Sequence, residues 1–440
     1  MDLINNCEIY GEKMFKLMKE MFPICRSITG DGVRETLNII KEIIPININE
    51  VPSGTEVFDW TVPREWNIKD AWIKNPRGEK IVDFKESNLR VLNYSSPINK
   101  TMKFEELKTH IFTLPYTPDW IPYMTSYYNE NWGFCMSHNE FIKFQNETKP
   151  DEEFEVHIDS SLKNGYLTYG EYFLQGESKE EVLISTYVCH PSMCNDNLSG
   201  IALTTYLAYA LAKMNEKCKL RYSYRFLFVP ETIGSITWLS LNEKKTSNIK
   251  YGLVASCVGD RGCLTYKKSR DGNNLIDKIA VNILKYSGAQ YKVLDFFPWG
   301  SDERQFCSPG FNLPVGSLMR TPYGYYGEYH TSADNFNFVD KKSIADTFDK
   351  YIKIIFIIEN NNAYLNLNPK CEPRLGKRNL YGSLGGRMLY EYDETAMFWI
   401  LNQSDGKNSL LDISEKSNID FFRIKNAADA LLNAGLLKKL

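Results

Sequence analysis

Residues 182–200 read VLISTYVCHPSMCNDNLSG, a buried-strand pattern that ends in a turn rich in polar groups. The next residues, 200–214, repeat apolar positions at three- and four-residue spacing and predict a helix. RFLFVP (225–230) and YGLVASCV (251–258) predict two more buried strands. Strands that alternate with helices indicate a mixed, mainly parallel sheet covered on both faces. We therefore predict an α/β fold with a three-layer αβα core.

Polar side chains follow these strands at the points where the strands end. His190 comes just after the first strand, Glu231 just after the second, and Asp196 stands before the next helix. Parallel strands bring the residues beyond their carboxyl ends to one rim, where ligands usually bind. His330, in YHTSAD (329–334), is a fourth candidate because the chain has only five histidines. Taken singly, Asp196 is as readily a helix cap as a ligand, and a glutamate at the position of Glu231 is usually just a solvated carboxylate. Taken together, the four residues suit a hydrolytic zinc site.

The order of these residues resembles a known family. His190 precedes the Asp-Asn-x-Ser-Gly of residues 196–200, and Glu231 is followed closely by Gly-Ser. A His-Thr-x-x-Asp then begins at His330. Over about residues 150–360 this order resembles the zinc-dependent aminopeptidases, which include bacterial leucine aminopeptidases and glutamate carboxypeptidases. The whole layout is similar to bacterial proteins with an aminopeptidase-like domain, an inserted β module and a C-terminal winged helix, which are often linked with surface-polysaccharide synthesis.

The resemblance implies a role for each of the four residues. His190 would bind one metal, Asp196 would bridge two metals, and His330 would bind the second. Glu231 would be the general base of amide hydrolysis. The chain departs from the family at Thr232, where the aminopeptidases carry a second glutamate that ligates metal.

A second departure lies after the third strand, where SCVGD (256–260) stands in place of the family's strand-end aspartate ligand. A zinc ion needs about three or four protein ligands. With two ligand positions altered, we expect one zinc ion rather than two. Either the Cys257 thiolate or Asp260 could join His190 and Asp196 as a ligand, since a thiolate binds zinc well.

Two alternatives stay open at this site. Glu231 could itself be a ligand beside Asp196 and His330, as in the single-zinc relatives that act as glutaminyl cyclases. The chain could also be a non-catalytic or substrate-binding protein of this fold, linked to polysaccharide biosynthesis, which Thr232 and Cys257 favour. The leading hypothesis is a zinc-dependent aminopeptidase or amidase that acts on a small peptide or on an amino-acid or amino-sugar conjugate.

Further charged residues are candidates for binding substrate. CRSITGDGVRET (25–36) places several near the N-terminus, and GSDE (300–303) resembles the family's Ser-Asp-His segment with a glutamate in place of the histidine. Arginine and carboxylate side chains bind the charged groups of substrates. The candidates are Arg26, Asp31, Arg34, Arg270, Asp302 and Glu328. As ordinary exposed charges, or for residues 25–36 as a helix–helix connection, they need no such function.

The 440 residues, 43% of them hydrophobic, suffice for two or three domains. We assign residues 1–54 and 151–365 to a discontinuous aminopeptidase-like core, 55–150 to an inserted small all-β domain, and 375–440 to a winged-helix domain. Helical patterns at 395–403, 410–416 and 421–433 predict the last of these. The tight-turn sequence KNG (163–165) predicts a hairpin between the strand patterns on either side of it.

Charge and cysteine content restrict the partners and the compartment. A net charge of −3 gives no global attraction to nucleic acid, and no apolar stretch suits a signal peptide or a membrane span. Ten cysteines without a CxxC pair indicate reduced thiols, so we expect a cytoplasmic protein.

The predicted winged helix raises the alternative of a DNA-binding regulator. Residues 418–433 contain Arg423 and Lys425 but also Asp420 and Asp429, and these acidic residues disfavour that alternative. We expect this module to pack on the catalytic domain or to form a homodimer.

Overall fold

The structure is a computed structural model that describes residues 7–380 and 393–440. Contacts between residues divide the chain into two units. Unit 1 consists of Met1–Asp277 and Gln290–Asp349, and unit 2 of Lys278–Ala289 and Lys350–Leu440. Within the described ranges, every helix is too short or too polar to span a bilayer.

Strands and helices alternate through the middle of the chain, as predicted. The strands are β1 (Asn47–Pro52), β2 (Glu56–Val57), β3 (Trp60–Thr61), β4 (Glu65–Lys74), β5 (Lys80–Asp83), β6 (Ile98–Lys103), β7 (Ile111–Phe112), β8 (Phe134–Cys135), β9 (Glu153–Lys163), β10 (Tyr166–Leu174), β11 (Glu181–Tyr187), β12 (Ser223–Val229), β13 (Ile249–Val254), β14 (Leu264–Lys267), β15 (Tyr291–Leu294), β16 (Val315–Met319), β17 (Ala363–Asn366), β18 (Asp405–Ser409) and β19 (Leu437–Lys439). The α-helices are α1 (Cys7–Met21), α2 (Asp31–Lys41), α3 (Phe104–Leu107), α4 (His138–Glu147), α5 (Gly200–Lys217), α6 (Ile233–Asn242), α7 (Leu275–Lys285), α8 (Glu303–Phe306), α9 (Lys341–Asn360), α10 (Glu394–Gln403), α11 (Leu410–Ser417) and α12 (Phe421–Asn433).

The main sheet of unit 1 has eight strands in the order β1-β10-β12-β11-β13-β16-β14-β15. Its centre is parallel, because β11 pairs in parallel with β12 and β13, and β13 pairs in parallel with β16. Antiparallel pairs join β1 to β10, β10 to β12 and β14 to β16. Every residue of β11 and β12 is buried, as expected for strands covered on both faces. The predicted mixed sheet is confirmed.

The carboxyl ends of β11, β12 and β13 lie at one edge of this sheet. The three strands are parallel neighbours, and Tyr187 at the end of β11 is paired with Val229 at the end of β12. The chain leaves β11 through an irregular turn, Cys194–Ser199, and enters α5 at Gly200. The polar residues that follow the three strands are therefore brought to the same edge.

A second sheet of unit 1 is antiparallel, in the order β5-β4-β9-β6. The prediction that β9 and β10 form a hairpin is wrong. β9 pairs with β4 and β6, whereas β10 pairs with β1 and β12. Asn164 and Gly165, between the two strands, carry the chain from one sheet to the other. Glu65 of β4 takes part in this switch, since its Oε2 accepts a hydrogen bond from Tyr166 N at 2.9 Å.

Unit 2 contains α10, α11 and α12 and an antiparallel sheet in the order β18-β17-β19. The three helices begin and end within one residue of the three predicted helical segments. Helices packed with a small antiparallel sheet are the arrangement expected of a winged helix. Residues 381–392, which belong to the predicted domain 375–440, lie outside the described part of the chain.

Candidate metal centre

Three side chains converge at the carboxyl edge of the main sheet: His190, Asp196 and His330. His190 follows β11, Asp196 lies in the turn before α5, and His330 lies between β16 and α9. Asp196 Oδ2 is 3.0 Å from His330 Nε2 and 4.0 Å from His190 Nε2. One ligand atom from each residue lies within 4.8 Å of the other two. The fold thus brings together three of the residues that the sequence singled out.

The donor set fits a divalent metal. Asp196 Oδ2 and His330 Nε2 are buried 3.0 Å apart, and apart from this contact neither atom has a hydrogen-bond partner among the described residues. Burying a carboxylate and an imidazole with so few partners is costly unless another group binds them. Imidazole and carboxylate groups are the ligands that zinc takes in catalytic sites. Burial lowers the pKa of His190 to about 4, so its ring is neutral and free to bind a cation.

Asp196 is ionised and held in one orientation. Burial alone would raise its pKa, but His190 and His330 outweigh burial and lower the pKa of Asp196 to about 2. Oδ1 accepts a hydrogen bond from the Tyr187 hydroxyl. The backbone N–H of Asp196 donates to Asp334 Oδ2 at 2.8 Å, which holds the turn itself. Oδ2 is therefore the carboxylate oxygen that faces the two histidines.

Glu231 is the more accessible of the two carboxylates beside His190. It follows β12, and its Oε2 lies 3.8 Å from His190 Nε2. Its side chain is 25% exposed, against 1% for Asp196. Burial raises the pKa of Glu231 well above its ordinary value, and the Asp302 and Asp196 carboxylates raise it further. A carboxyl group with a raised pKa is a stronger base, as general-base catalysis near neutral pH requires.

Cys189 contacts both His190 and Glu231. Its Sγ lies 3.4 Å from His190 Nδ1 and accepts a hydrogen bond from Glu231 N at 3.2 Å. The three residues form a second group whose ligand atoms lie within 4.8 Å of one another. Burial raises the pKa of Cys189 well above its ordinary value, so the thiol keeps its proton.

The two positions that depart from the aminopeptidase pattern are engaged by other side chains. Thr232 Oγ1 accepts a hydrogen bond from Arg304 at 2.8 Å. Cys257 Sγ lies 3.6 Å from the Tyr326 hydroxyl. Neither residue belongs to the groups of potential metal ligands found among the described residues.

Asp260 lies in the loop after β13, and both of its oxygens are occupied. Oδ1 accepts hydrogen bonds from Gly262 N and Thr321 Oγ1. Oδ2 accepts hydrogen bonds from Thr321 N and Asn195 Nδ2. Asp260 therefore joins three loops at the rim, and it stands outside the two ligand groups of the described chain.

Arg26 and Arg34, two candidates for binding substrate, are engaged within the protein. Arg26 is wholly buried and donates hydrogen bonds to His190 O and Met21 O, both at 2.7 Å. It thereby holds the backbone of a candidate ligand. Arg34 forms ion pairs with the candidate Asp31 and with two strand residues, Glu50 and Glu65, at 2.9, 2.7 and 2.7 Å.

Asp302 lies beside the turn that carries Glu231. It is wholly buried, and its Oδ1 accepts hydrogen bonds from Thr232 N and Ser235 Oγ, both at 2.7 Å. Burial raises the pKa of Asp302 to about 6.

The other two candidates for binding substrate, Arg270 and Glu328, lie in loops. Arg270 is exposed, and Glu328 is half-buried two residues before His330.

Tyr123, from the inserted part of the chain, is a functional candidate that sequence reasoning missed. Its ring centroid lies 5.3 Å from that of His190 and 5.1 Å from that of His330. Its backbone N–H donates to His330 O at 2.7 Å. No periodic pattern marks this irregular segment, so the sequence offered no signal for it. Tyr187 could have been found, because it ends the strand that leads into the site.

Comparison with known proteins identifies relatives of the whole chain. Residues 15–361 match the family described as Domain of unknown function (DUF4910), and residues 362–439 match a winged helix-turn-helix family. A Clostridium acetobutylicum protein is 59% identical over 435 residues, which are 99% of this chain and 98% of its own. It is named as a candidate polysaccharide biosynthesis protein with an aminopeptidase-like domain.

Solved structures share the fold. A crystal structure of a candidate peptidase from Clostridium acetobutylicum has a TM-score of 0.93 and 58% identity, covering 100% of this chain and 99% of its own. A zinc aminopeptidase from Bacillus subtilis has a TM-score of 0.57 and 11% identity, covering 80% and 94%. A peptidase M28 precursor from Shewanella amazonensis has a TM-score of 0.54 and 10% identity, covering 82% and 96%. These likenesses confirm the predicted aminopeptidase-like fold, and the family match confirms the predicted winged helix.

Proposed function

We propose, from the premise that this chain belongs to the DUF4910 family and ends in a winged helix-turn-helix domain, that it is a metal-dependent hydrolase of amide bonds. The observation that carries the proposal is the convergence of His190 Nε2, Asp196 Oδ2 and His330 Nε2. Two of these atoms, Asp196 Oδ2 and His330 Nε2, are buried 3.0 Å apart and have no other hydrogen-bond partner among the described residues. The fold supports the proposal, since it is that of zinc aminopeptidases, and a solved relative is described as a candidate peptidase.

His190, Asp196 and His330 are the residues that would hold the metal, and we propose one zinc ion. Catalytic zinc sites commonly have three protein ligands, which this set supplies. The positions where a second ion would find its own ligands are Thr232 and Cys257, whose side chains contact Arg304 and Tyr326 instead. When bound, zinc supplies Lewis-acid chemistry at a substrate carbonyl.

Glu231 is the proposed general base. Its carboxylate takes a proton from the attacking water and delivers it to the leaving nitrogen as the amide bond breaks. Its partial exposure and its distance of 3.8 Å from His190 Nε2 suit a group that meets both the substrate and the metal ligands. Asp302 positions the base, because its hydrogen bonds to Thr232 N and Ser235 Oγ hold the turn that follows Glu231.

The proposed substrate is a small peptide or an amino-acid or amino-sugar conjugate. The name of the 59% identical relative points to polysaccharide biosynthesis, and amino sugars carry amide-linked groups. Glu328 is proposed to hold the amine of the substrate, since it lies in the loop that leads to His330. Arg270 and Asp31 are exposed and are proposed to contact charged groups of the substrate.

Glu231→Gln tests the proposal, because it removes the base and keeps the shape of the side chain. We expect hydrolysis of aminoacyl p-nitroanilides or N-acetylglucosamine to fall about 10²- to 10⁴-fold. Zinc content, measured by mass spectrometry on protein purified without chelator, should stay the same. Glu243→Gln, at an exposed position after α6, is the matched control and should retain full activity. Unchanged turnover in Glu231→Gln would contradict the assignment of the base.

The second candidate is a non-catalytic protein that binds a ligand at this site. The contacts of Thr232 and Cys257 favour it, because both residues serve internal packing where the aminopeptidase pattern has carboxylate ligands. Metal analysis separates the two functions. A chain that takes up no zinc, cobalt or manganese favours the non-catalytic protein, whereas one ion per chain favours the hydrolase.

A further inference from the structure

Tyr187 is a wholly buried residue that contacts two of the candidate metal ligands. It is the last residue of β11. Its hydroxyl donates a hydrogen bond to Asp196 Oδ1. Its ring packs against His190, with centroids 5.0 Å apart. The turn after β11 thus brings Asp196 back against the strand end that precedes His190.

Because the Tyr187 hydroxyl binds Oδ1, the two oxygens of Asp196 have different partners. Oδ1 accepts the hydrogen bond from Tyr187, whereas Oδ2 faces His190 and His330, at 4.0 and 3.0 Å, and has no other hydrogen-bond partner in the described part of the chain. A carboxylate commonly bridges two metal ions with one oxygen on each ion. The hydrogen bond from Tyr187 competes with a metal ion for Oδ1, so Oδ2 is the oxygen of Asp196 that is better placed to bind one.

The surroundings of Tyr187 reinforce this arrangement. The ring lies in a hydrophobic core cluster of buried residues together with Cys189 and Leu227, so the side chain has little room to turn away. Asp334 holds the backbone of Asp196 from the other side of the turn, at 2.8 Å. Asp334 thus holds the backbone of Asp196, and the hydrogen bond from Tyr187 is the contact that holds Oδ1 of its carboxylate.

We propose that Tyr187 is a positioning residue that presents Asp196 through Oδ2 alone and so restricts the centre to one divalent ion. This inference rests on the proposed metal site and names the residue that sets its stoichiometry. Groups that hold a metal ligand in place typically contribute about 10- to 100-fold in metal affinity.

Titration with cobalt(II) tests the inference, since its visible absorption reports the ligands and their geometry. The unaltered chain should bind one cobalt ion. Tyr187→Phe keeps the ring and removes the hydroxyl, so we expect affinity to fall about 10- to 100-fold and the visible spectrum to change. Tyr266→Phe is the matched control: it also removes a buried hydroxyl that donates to an aspartate, at 2.9 Å, but that aspartate, Asp277, is not one of the candidate ligands. This control should keep the affinity and spectrum of the unaltered chain.

Each outcome of the cobalt titration either supports or overturns the inference about Tyr187. Weaker binding and a changed spectrum in Tyr187→Phe, with an unchanged melting temperature, support the inference. Equal affinity and an equal spectrum in Tyr187→Phe overturn it while leaving the proposed function intact. Two tightly bound ions in the unaltered chain overturn it even if the variant does not fold. An unaltered chain that binds no ion overturns the proposed metal site and, with it, this inference.

Discussion

Three residues at the rim of the main sheet have positive φ angles, which residues other than glycine rarely adopt. Thr232, Cys257 and His330 have φ values of 65°, 51° and 54°. Such conformations cost of order 1–3 kcal/mol each and persist where surrounding contacts hold them. The contacts are present here, since Asp302 binds Thr232 N and Tyr123 binds His330 O. The sequence predicted which side chains lie at the rim, but short-range patterns do not report φ, so the conformations could not be predicted.

For Arg26, the sequence predicted a residue that makes charged contacts but did not predict its partner. Its charge suggested a contact with substrate, yet it is buried against the backbone of His190. Arg26→Met should lower the free energy of unfolding by about 2–6 kcal/mol, because two buried carbonyl oxygens each lose a partner at about 1–3 kcal/mol. Urea denaturation measures the change. Arg77→Met, at a side chain 78% exposed, should stay within about 0.5 kcal/mol. A similar small change for Arg26→Met would show that the buried hydrogen bonds contribute little.

Among the elements, those with a clear apolar period were predicted best. The prediction of a helix at 421–433 matches the bounds of α12. The hairpin after β9 failed for a physical reason. A tight-turn sequence predicts the turn, but it does not say which strands the two arms pair with, and here Glu65 binds Tyr166 N at the switch between sheets.

Arg34 connects three elements, because this residue of α2 pairs with Glu50 of β1 and Glu65 of β4. The hydrogen bond from Arg34 is the largest cause that lowers the pKa of Glu65 from 4.5 to about 2. A carboxylate with a lowered folded-state pKa stabilises the fold above its unfolded pKa and loses that contribution as the pH falls toward the folded value. We therefore expect the free energy of unfolding to decrease between pH 4.5 and about 2 in part through Glu65.

Arg34→Gln should reduce this decrease, since it raises the folded-state pKa of Glu65 toward its ordinary value. Urea denaturation at about pH 5, 4 and 3 measures it. Arg64→Gln is the control, because the pair of Arg64 and Glu130 is largely exposed and contributes little. If Arg34→Gln and Arg64→Gln show the same pH dependence as the unaltered chain, Glu65 is not a source of the acid sensitivity.

At the scale of the whole molecule, the predicted fold class is confirmed, whereas the domain limits stay predictions. The αβ alternation is confirmed by the main sheet and by the solved relatives. The limits 1–54, 55–150, 151–365 and 375–440 stay predictions. They are hard to place because strand pairing sets them: β9 begins after residue 150, yet it pairs with β4 and β6.

The winged helix gives a prediction for the entire chain. Two cations of α12 are already paired, Arg423 with Asp393 and Lys425 with Asp429. Since nucleic-acid affinity depends on cations that neutralise phosphates, we expect no salt-dependent binding of a labelled DNA duplex by the full-length protein. Fluorescence anisotropy at low and at physiological salt measures it. Binding that weakens steeply as salt increases would instead support a regulator of transcription.

The contacts around the candidate ligands also bear on when the centre can form. Arg26 reaches His190 across 164 residues, and Ile121 reaches the segment of His330 across 211. A contact between such distant parts of a chain closes a long loop, which costs conformational entropy. Contacts of this kind are therefore made late in folding. The ligands should therefore still be apart in early collapsed intermediates and on a nascent chain that has not yet passed residue 330. A metal ion would then be loaded into a finished scaffold instead of serving as the nucleus around which it folds.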